Sequence, residues 1–213
     1  MFPAGAASLV TASDFNQSFK ASVSVGDFSS SEIAICGTRT TPGEISGVVS
    51  TVPYFLPQEF YYVDPADREY VCVELSAFLV YFISELGCKK LNPPSTRRLS
   101  GLGMHRLEWL KAAEKCGVPV WPFHMKNGVG DPVGDPKELK HVASTIVGDS
   151  LVEDGAPEII GRHMRTLSRH FAMPYLSCLF VSREGGDYFL VELASVPDVS
   201  VPANREAIVR FME

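Results

Sequence analysis

Apolar residues keep their most regular spacing between residues 174 and 193. Two runs, 174–182 and 187–193, carry Val, Phe, Leu and Tyr at period two and flank Arg183-Glu184-Gly185-Gly186. β-Branched and aromatic residues in that pattern, closed by a Gly-Gly step, predict an antiparallel hairpin. One acid, Glu192, stands in the second run between Val191 and Leu193. A carboxylate there is either edge-exposed and structural, or held in a cleft to bind a cation such as a metal.

Earlier in the chain the same criteria predict short strands over 21–25, 33–36 and 45–51, with 37–43 as a polar turn. Residues 1–19, rich in Ala, Ser and Gly, are expected to be a loosely docked start. Asp64-Pro65-Ala66-Asp67 predicts a helix start: Asp64 as the cap, Pro65 in the first turn, Asp67 on the positive end of the dipole. That helix runs to Gly87, and from 71 to 86 its polar positions are Glu74, Ser76, Ser84 and Glu85. A helix so apolar is expected to be central and covered on most sides.

A strand over 88–92, a helix over 104–116 and a strand over 118–123 follow, and this alternation predicts a parallel α/β domain. The helix stripe is Leu107, Leu110 and Ala113, with Gly117 as its stop. Gly and Pro then crowd residues 124–137, which read as a linker or exposed loop. Beyond it come a hairpin over 141–147 and 150–152, and an amphipathic helix over 155–173 with Ile160, Met164, Leu167 and Phe171 inward. A terminal helix over 204–211, capped by Asn204, closes the pattern. The domains expected are 1–123, a linker 124–140, and a smaller, antiparallel α+β part 141–213.

The chain has 213 residues, 46% of them hydrophobic and 21% charged, as an ordinary globular protein does. A net charge of −6 offers no basic field for nucleic acid or an anionic membrane. Of five cysteines without a CxxC motif, four sit inside apolar runs, as reduced, buried thiols would. The first fifteen residues lack a basic segment followed by an apolar core, and the longest apolar run is too short for a bilayer. A cytoplasmic location is the expectation.

Beyond Glu192, the charged groups that draw notice lie on the helix over 155–173. His163 and His170 are two turns apart, too far to share one metal directly. Arg162, Arg165 and Arg169 accompany them, and recognition of phosphate or carboxylate by Arg162 and Arg165 competes with a solvated basic face. Arg97-Arg98 stand before the helix over 104–116, where an anion could meet its N-terminus. His105 and His124 have no partner in the pattern, and Glu74 is expected to satisfy a nearby backbone or arginine group. No catalytic residue can be named from these patterns.

Two stretches together resemble the ATP-grasp ligases. REYVCVELSAFLVYFISELGCKKLNPPS, followed by a helix and KCGVPVWP, is similar to their N-terminal, pre-ATP-grasp part. SCLFVSREGGDYFLVELASVP, after its helix, is similar to their C-terminal strand pair. The resemblance covers about residues 60–123 and 157–198. It implies an acid on the first strand and Glu-x-Asn on the second, holding magnesium against nucleotide phosphates. Here Glu192 keeps the Glu, Ala194 replaces the Asn, and the first acid would fall near Leu179. A central lid with phosphate-gripping lysines is also implied, yet only about thirty residues separate Phe123 from Gly155. Lys126, Lys137 and Lys140 lie in or just after the linker, outside the strands such a lid would provide.

The expected fold class is therefore α/β, a pre-ATP-grasp-like parallel domain followed by a small antiparallel α+β part. The first functional expectation is a shortened, non-catalytic relative of ATP-grasp ligases that binds a protein, peptide or small ligand and uses no cofactor. The alternative is an ATP-dependent carboxylate–amine ligase with a minimal or partner-supplied lid. In it Glu192 would hold magnesium, and Arg162 or Arg165 would meet phosphate or a substrate carboxylate. A third reading is a structural subunit that pairs as a homodimer through exposed apolar surface.

Overall fold

The computed structural model describes residues 10–11, 14–15, 19–24, 26–35, 37–126, 129–132, 139–153, 155–182 and 186–213. Most of the expected loose start at 1–19, the centre of the linker and the turn residues 183–185 lie outside the described residues. Two compact units are present, one up to Gly101 and one from Leu102, so the division falls upstream of the domain boundary expected at residue 123.

In the first unit, β1 (Lys20–Ser22), β2 (Glu32–Ile35) and β3 (Thr38–Thr40) form an antiparallel sheet in that order. The Thr-Arg-Thr of β3 was expected as part of a polar turn; its partner Ile33–Ile35 recruits it by backbone bonding, which polar side chains do not prevent. β4 (Gly47–Val49) pairs parallel with β5 (Lys89–Leu91), and α1 (Arg68–Glu85) forms the crossover between them. This is the expected βαβ step. Asp64 does not cap α1: its carboxylate accepts from the Ala66 N–H at 2.9 Å and its carbonyl from Asp67 N at 2.9 Å, closing a turn before the helix starts at Arg68. Cys72 and Leu79 bury one face of α1 against Phe55, Phe60 and Leu99, and the buried Phe82 packs on the rings of Phe28 and Phe78. Its opposite side is open, with Tyr70 67% and Val73 65% exposed, so the expectation of a helix covered on most sides fails. At its C-terminus Lys90 Nζ donates to the Ser84 and Leu86 carbonyls, satisfying acceptors the helix leaves free.

The second unit contains α2 (Arg106–Lys115), β6 (Phe123–Lys126) and β7 (Val129–Pro132), then β8 (Lys140–Val147), β9 (Ser150–Leu151), α3 (Glu158–Phe171), β10 (Tyr175–Ser182), β11 (Tyr188–Ala194) and α4 (Pro202–Met212). β6 and β7 pair antiparallel inside the stretch expected to be a linker. The strand expected at 118–123 shrinks to a parallel bridge of Val120 to Leu190, with Leu190 N–H bonded to Pro119 O at 2.8 Å and Trp121 N–H to Leu190 O at 2.9 Å. Four strands form one antiparallel sheet in the order β11-β10-β8-β9. The predicted tight turn at Gly148 has φ +62°, and a Cβ there would come within 3.1 Å of the Phe211 ring, which explains glycine on both counts.

α2 and α3 cover one face of this sheet. Trp109, Leu110 and Ala113 meet Ile160, Met164, Leu167 and Phe171 over Ile146, Leu176, Cys178, Phe180 and Leu190. Ile160, Met164, Leu167 and Phe171 are the inward stripe read from the 3.6-residue period. On the other face, Tyr175 is fully buried and its hydroxyl accepts from the Asp198 N–H at 3.1 Å and Asn204 Nδ2 at 3.4 Å. Asn204 lies inside the first turn of α4, not at its cap, because Pro202 opens that helix. Among the described residues no helix is long and apolar enough to cross a membrane.

Candidate functional site

Side chains alternate across β10, so Leu176, Cys178 and Phe180 face the helices while Tyr175, Ser177, Leu179 and Val181 face the other way. Cross-strand partners share a face. Ala143, Leu179 and Glu192 consequently form one row across β8, β10 and β11, and Thr145, Ser177 and Ala194 form the next. The Thr145 and Ser177 hydroxyls lie 3.4 Å apart. Glu192 and Ala194 are exposed.

Glu192 reaches this face through a bulge. Phe180 pairs with Leu190 and Leu179 with Glu192, which leaves Val191 as the extra residue. Val191 packs with Val181 and Trp121, while Leu193, back in register with Cys178, returns to the helix side. Arg106, the first residue of α2, donates from Nη2 to the Val191 carbonyl at 3.1 Å, and its guanidinium lies 5.0 Å from the Phe123 ring centre. A carbonyl released from the ladder by the bulge is thereby satisfied by a charged donor.

A second acid, Glu153, borders the sheet. Its carboxylate accepts from the Thr145 N–H at 2.7 Å and the Ser144 hydroxyl at 3.4 Å, so it extends the ladder beyond β9. Among the described residues no group of three or more His, Cys, Asp or Glu side chains could hold a metal ion. A magnesium ion that arrives on a nucleotide needs less: it keeps water and phosphate oxygens and takes one or two carboxylates from the protein. Exposed Glu192 fits that demand, and Leu179 opposite it contributes no oxygen.

Arg162 and Arg165 lie on α3, whose inward residues pack against the helix-covered face. The sheet separates that helix from the row bearing Glu192, and the structure does not bring the two arginines to the acid. Arg162 pairs with Glu158 at 3.8 Å, one turn back, and Arg165 folds along the helix toward Gly161. His163 is buried with its ring 6.3 Å from that of Phe180, and burial, helped by the Arg162 charge, holds its pKa below the usual value. It is a core histidine, packed on Phe180. His170 stands edge-on to Phe171 at 4.9 Å. His105 caps α2: its Nδ1 accepts from the Leu107 N–H at 3.4 Å while its backbone N–H donates to Glu108 Oε2 at 2.6 Å. The acid three residues after His105 was the sequence signal for that role.

Arg97 and Arg98 sit in a tight turn where Ser95 and Arg98 exchange backbone bonds of 2.8 and 3.2 Å. Burial pushes the Cys72, Cys116 and Cys178 thiols up, which disfavours the thiolate a nucleophile needs. Lys137 and the side chains of His124 and Lys126 lie outside the described residues. Arg106 and Glu153 were not read from the sequence, because each bonds a backbone group and neither belongs to a recognisable motif.

No family model and no curated sequence matches the chain. Solved structures do resemble it. The macrocyclase MdnC from Microcystis aeruginosa MRC, bound with precursor peptide MdnA, superposes with a TM-score of 0.69 at 13% identity, covering 94% of this chain and 88% of that one. The ATP-grasp ligase PsnB complexed with minimal precursor gives 0.67 at 10% identity, over 95% and 89%. A Chryseobacterium gregarium RiPP-associated ATP-grasp ligase in complex with ADP and a leader and core peptide gives 0.64 at 12% identity, over 95% and 86%. The fold is ATP-grasp-like, as the two sequence stretches implied.

Proposed function

We propose that this chain is an ATP-dependent carboxylate–amine ligase acting on a peptide. The observation that carries this reading is a likeness, over nearly the whole chain, to ATP-grasp ligases seen with precursor peptides and ADP. Glu192 is the residue that would hold magnesium on the nucleotide, set on a rigid sheet by the bulge and the Arg106 bond. Magnesium–ATP would supply the phosphoryl group that activates a carboxylate, with the metal neutralising charge as it develops. The protein's share at this face is to fix the Glu192 oxygens.

Leu179 and Ala194 favour a second reading, in which the chain binds a peptide without turning over ATP. Each occupies a position where the resemblance implies a magnesium ligand, an acid and an Asn. Titration calorimetry with ATP and magnesium separates the two. Micromolar, magnesium-dependent binding that Glu192→Gln abolishes supports the ligase; no binding at millimolar nucleotide leaves the peptide-binding reading in its place.

A further inference from the structure

α1 carries two apolar faces. The buried one holds the first unit together; the other runs through Tyr70, Val73, Ala77 and Tyr81, spaced i, i+3, i+7 and i+11 along one side of the helix. Tyr70 and Val73 are about two-thirds exposed and Tyr81 is 43% exposed. At its N-terminal end the stripe opens into a groove of about 270 Å³ whose lining includes Phe15, Phe60, Tyr70, Leu75 and Glu74. Isolated exposed apolar residues need no explanation, whereas a continuous stripe ending in an aromatic groove marks an interaction surface.

The charge around it selects the partner. From Glu59 to Glu74 the chain carries the acids Glu59, Asp64, Asp67, Glu69 and Glu74 against the single base Arg68. Arg68 is committed to the Val63 and Tyr61 carbonyls, at 3.0 and 3.2 Å. The negative potential is felt locally: after burial, the charges of Glu59 and Glu69 are what raise the Cys72 thiol. A second copy of this face carries the same acids and, from Glu59 to Glu85, no base but the committed Arg68, so it supplies no complementary charge. A straight stripe eleven residues long spans about 16 Å, the length of about three turns of a partner helix.

We propose that the Tyr70–Val73–Ala77–Tyr81 face and its groove dock a helical peptide segment whose apolar anchors are flanked by Lys and Arg. This rests on the proposed function only in taking the partner to be a peptide. It places the peptide's recognition segment on the first unit.

The test is fluorescence anisotropy on the full chain with two labelled helical peptides of about four turns. Both carry the same Leu and Phe anchors at i, i+4 and i+7, one with Lys and the other with Glu between them. The Lys peptide is expected to bind, to weaken as salt rises, and to lose roughly tenfold in affinity in the exposed double variant Glu69→Lys/Glu74→Lys. Tyr70→Ser/Val73→Ser is expected to abolish binding with an unchanged melting temperature. Equal affinity for both peptides, no binding of either, or binding that survives both variants overturns the proposal. So does a dimer, seen by ultracentrifugation, that Tyr70→Ser/Val73→Ser dissolves, or a melting point that falls in that variant, since the face would then be covered by this chain itself. Magnesium–ATP titrations of the same variants keep the two proposals apart: nucleotide binding that persists while peptide binding is lost bears on this face alone.

Discussion

Arg106 holds the carbonyl of Val191, 85 residues away in sequence, at 3.1 Å. Val191 is the residue the β10–β11 register leaves over, and the next residue is Glu192. One guanidinium thus stabilises the backbone irregularity that turns both Val191 and Glu192 toward the same face. Arg106→Ala is expected to cost about 1 kcal/mol of stability, because a carbonyl freed by the bulge loses a charged donor at a partly solvated site. It is also expected to weaken magnesium-dependent nucleotide binding several-fold, since Glu192 then samples more positions. Urea denaturation reads the first effect and calorimetry the second. A variant as tight as the parent for nucleotide would show that the bulge needs no support from α2.

Leu179 pairs directly with Glu192, so Leu179→Asp places two carboxylates with Cβ atoms about 5 Å apart. Without metal the variant is expected to lose about 1 kcal/mol through repulsion between like charges on one face. With magnesium present, the two oxygen groups are expected to raise nucleotide affinity at least tenfold and to recover that stability. Thermal melts with and without magnesium, beside nucleotide titrations, measure both. If magnesium has no effect on the variant, Glu192 does not face a nucleotide site.

The elements that were legible in the sequence are those whose partners lie close along the chain. The 174–193 hairpin, the β8–β9 hairpin and the inward stripe of α3 follow from period and turn residues alone, and the structure keeps them. Glu192 was visible as a lone acid among apolar residues, and Leu179 as its strand neighbour. The bulge was not visible, because one extra residue changes register without changing composition. Arg106 was hidden for a related reason: its acceptor is a backbone carbonyl, which no side-chain pattern encodes. α1 misled in the opposite direction. A helix apolar on most sides predicts cover on most sides, yet Tyr70, Val73 and Tyr81 are open. β3 escaped notice because Thr38-Arg39-Thr40 is polar, and its backbone pairing to β2 alone makes it a strand.

His163 gives the second unit a dependence on pH. Its folded pKa lies below the ordinary 6.5, through burial first and the Arg162 charge second. The unfolded chain therefore binds the proton more readily, and stability rises with pH across the interval between the two values. The contribution is fully present above the unfolded pKa and is lost as pH falls toward the folded one. Denaturation midpoints measured from about pH 5 to 7.5 are expected to climb with pH, and His163→Phe, which keeps a ring against Phe180, is expected to flatten that slope. An unaltered slope in the variant would assign the effect to another group.

Tyr175 ties the sheet to the segment leading into α4. Its ring is fully buried, and its hydroxyl accepts from the Asp198 N–H at 3.1 Å and from Asn204 Nδ2 at 3.4 Å, while Asn204 Nδ2 also reaches the Asp198 carbonyl at 3.1 Å. Asn204 is itself buried, so it has little water to turn to. Tyr175→Phe preserves the ring volume and removes the shared acceptor, and is expected to cost about 1–3 kcal/mol, the range for leaving a buried donor unsatisfied. Asn204→Ala removes one of the two donors and its own need for a partner, and its cost is expected to overlap with that of Tyr175→Phe. A double-mutant cycle by urea denaturation checks this: the two losses should fall short of additivity by about 0.5 kcal/mol or more. Strict additivity would mean that the Tyr175 hydroxyl and Asn204 stabilise the second unit independently, and that their contact is incidental.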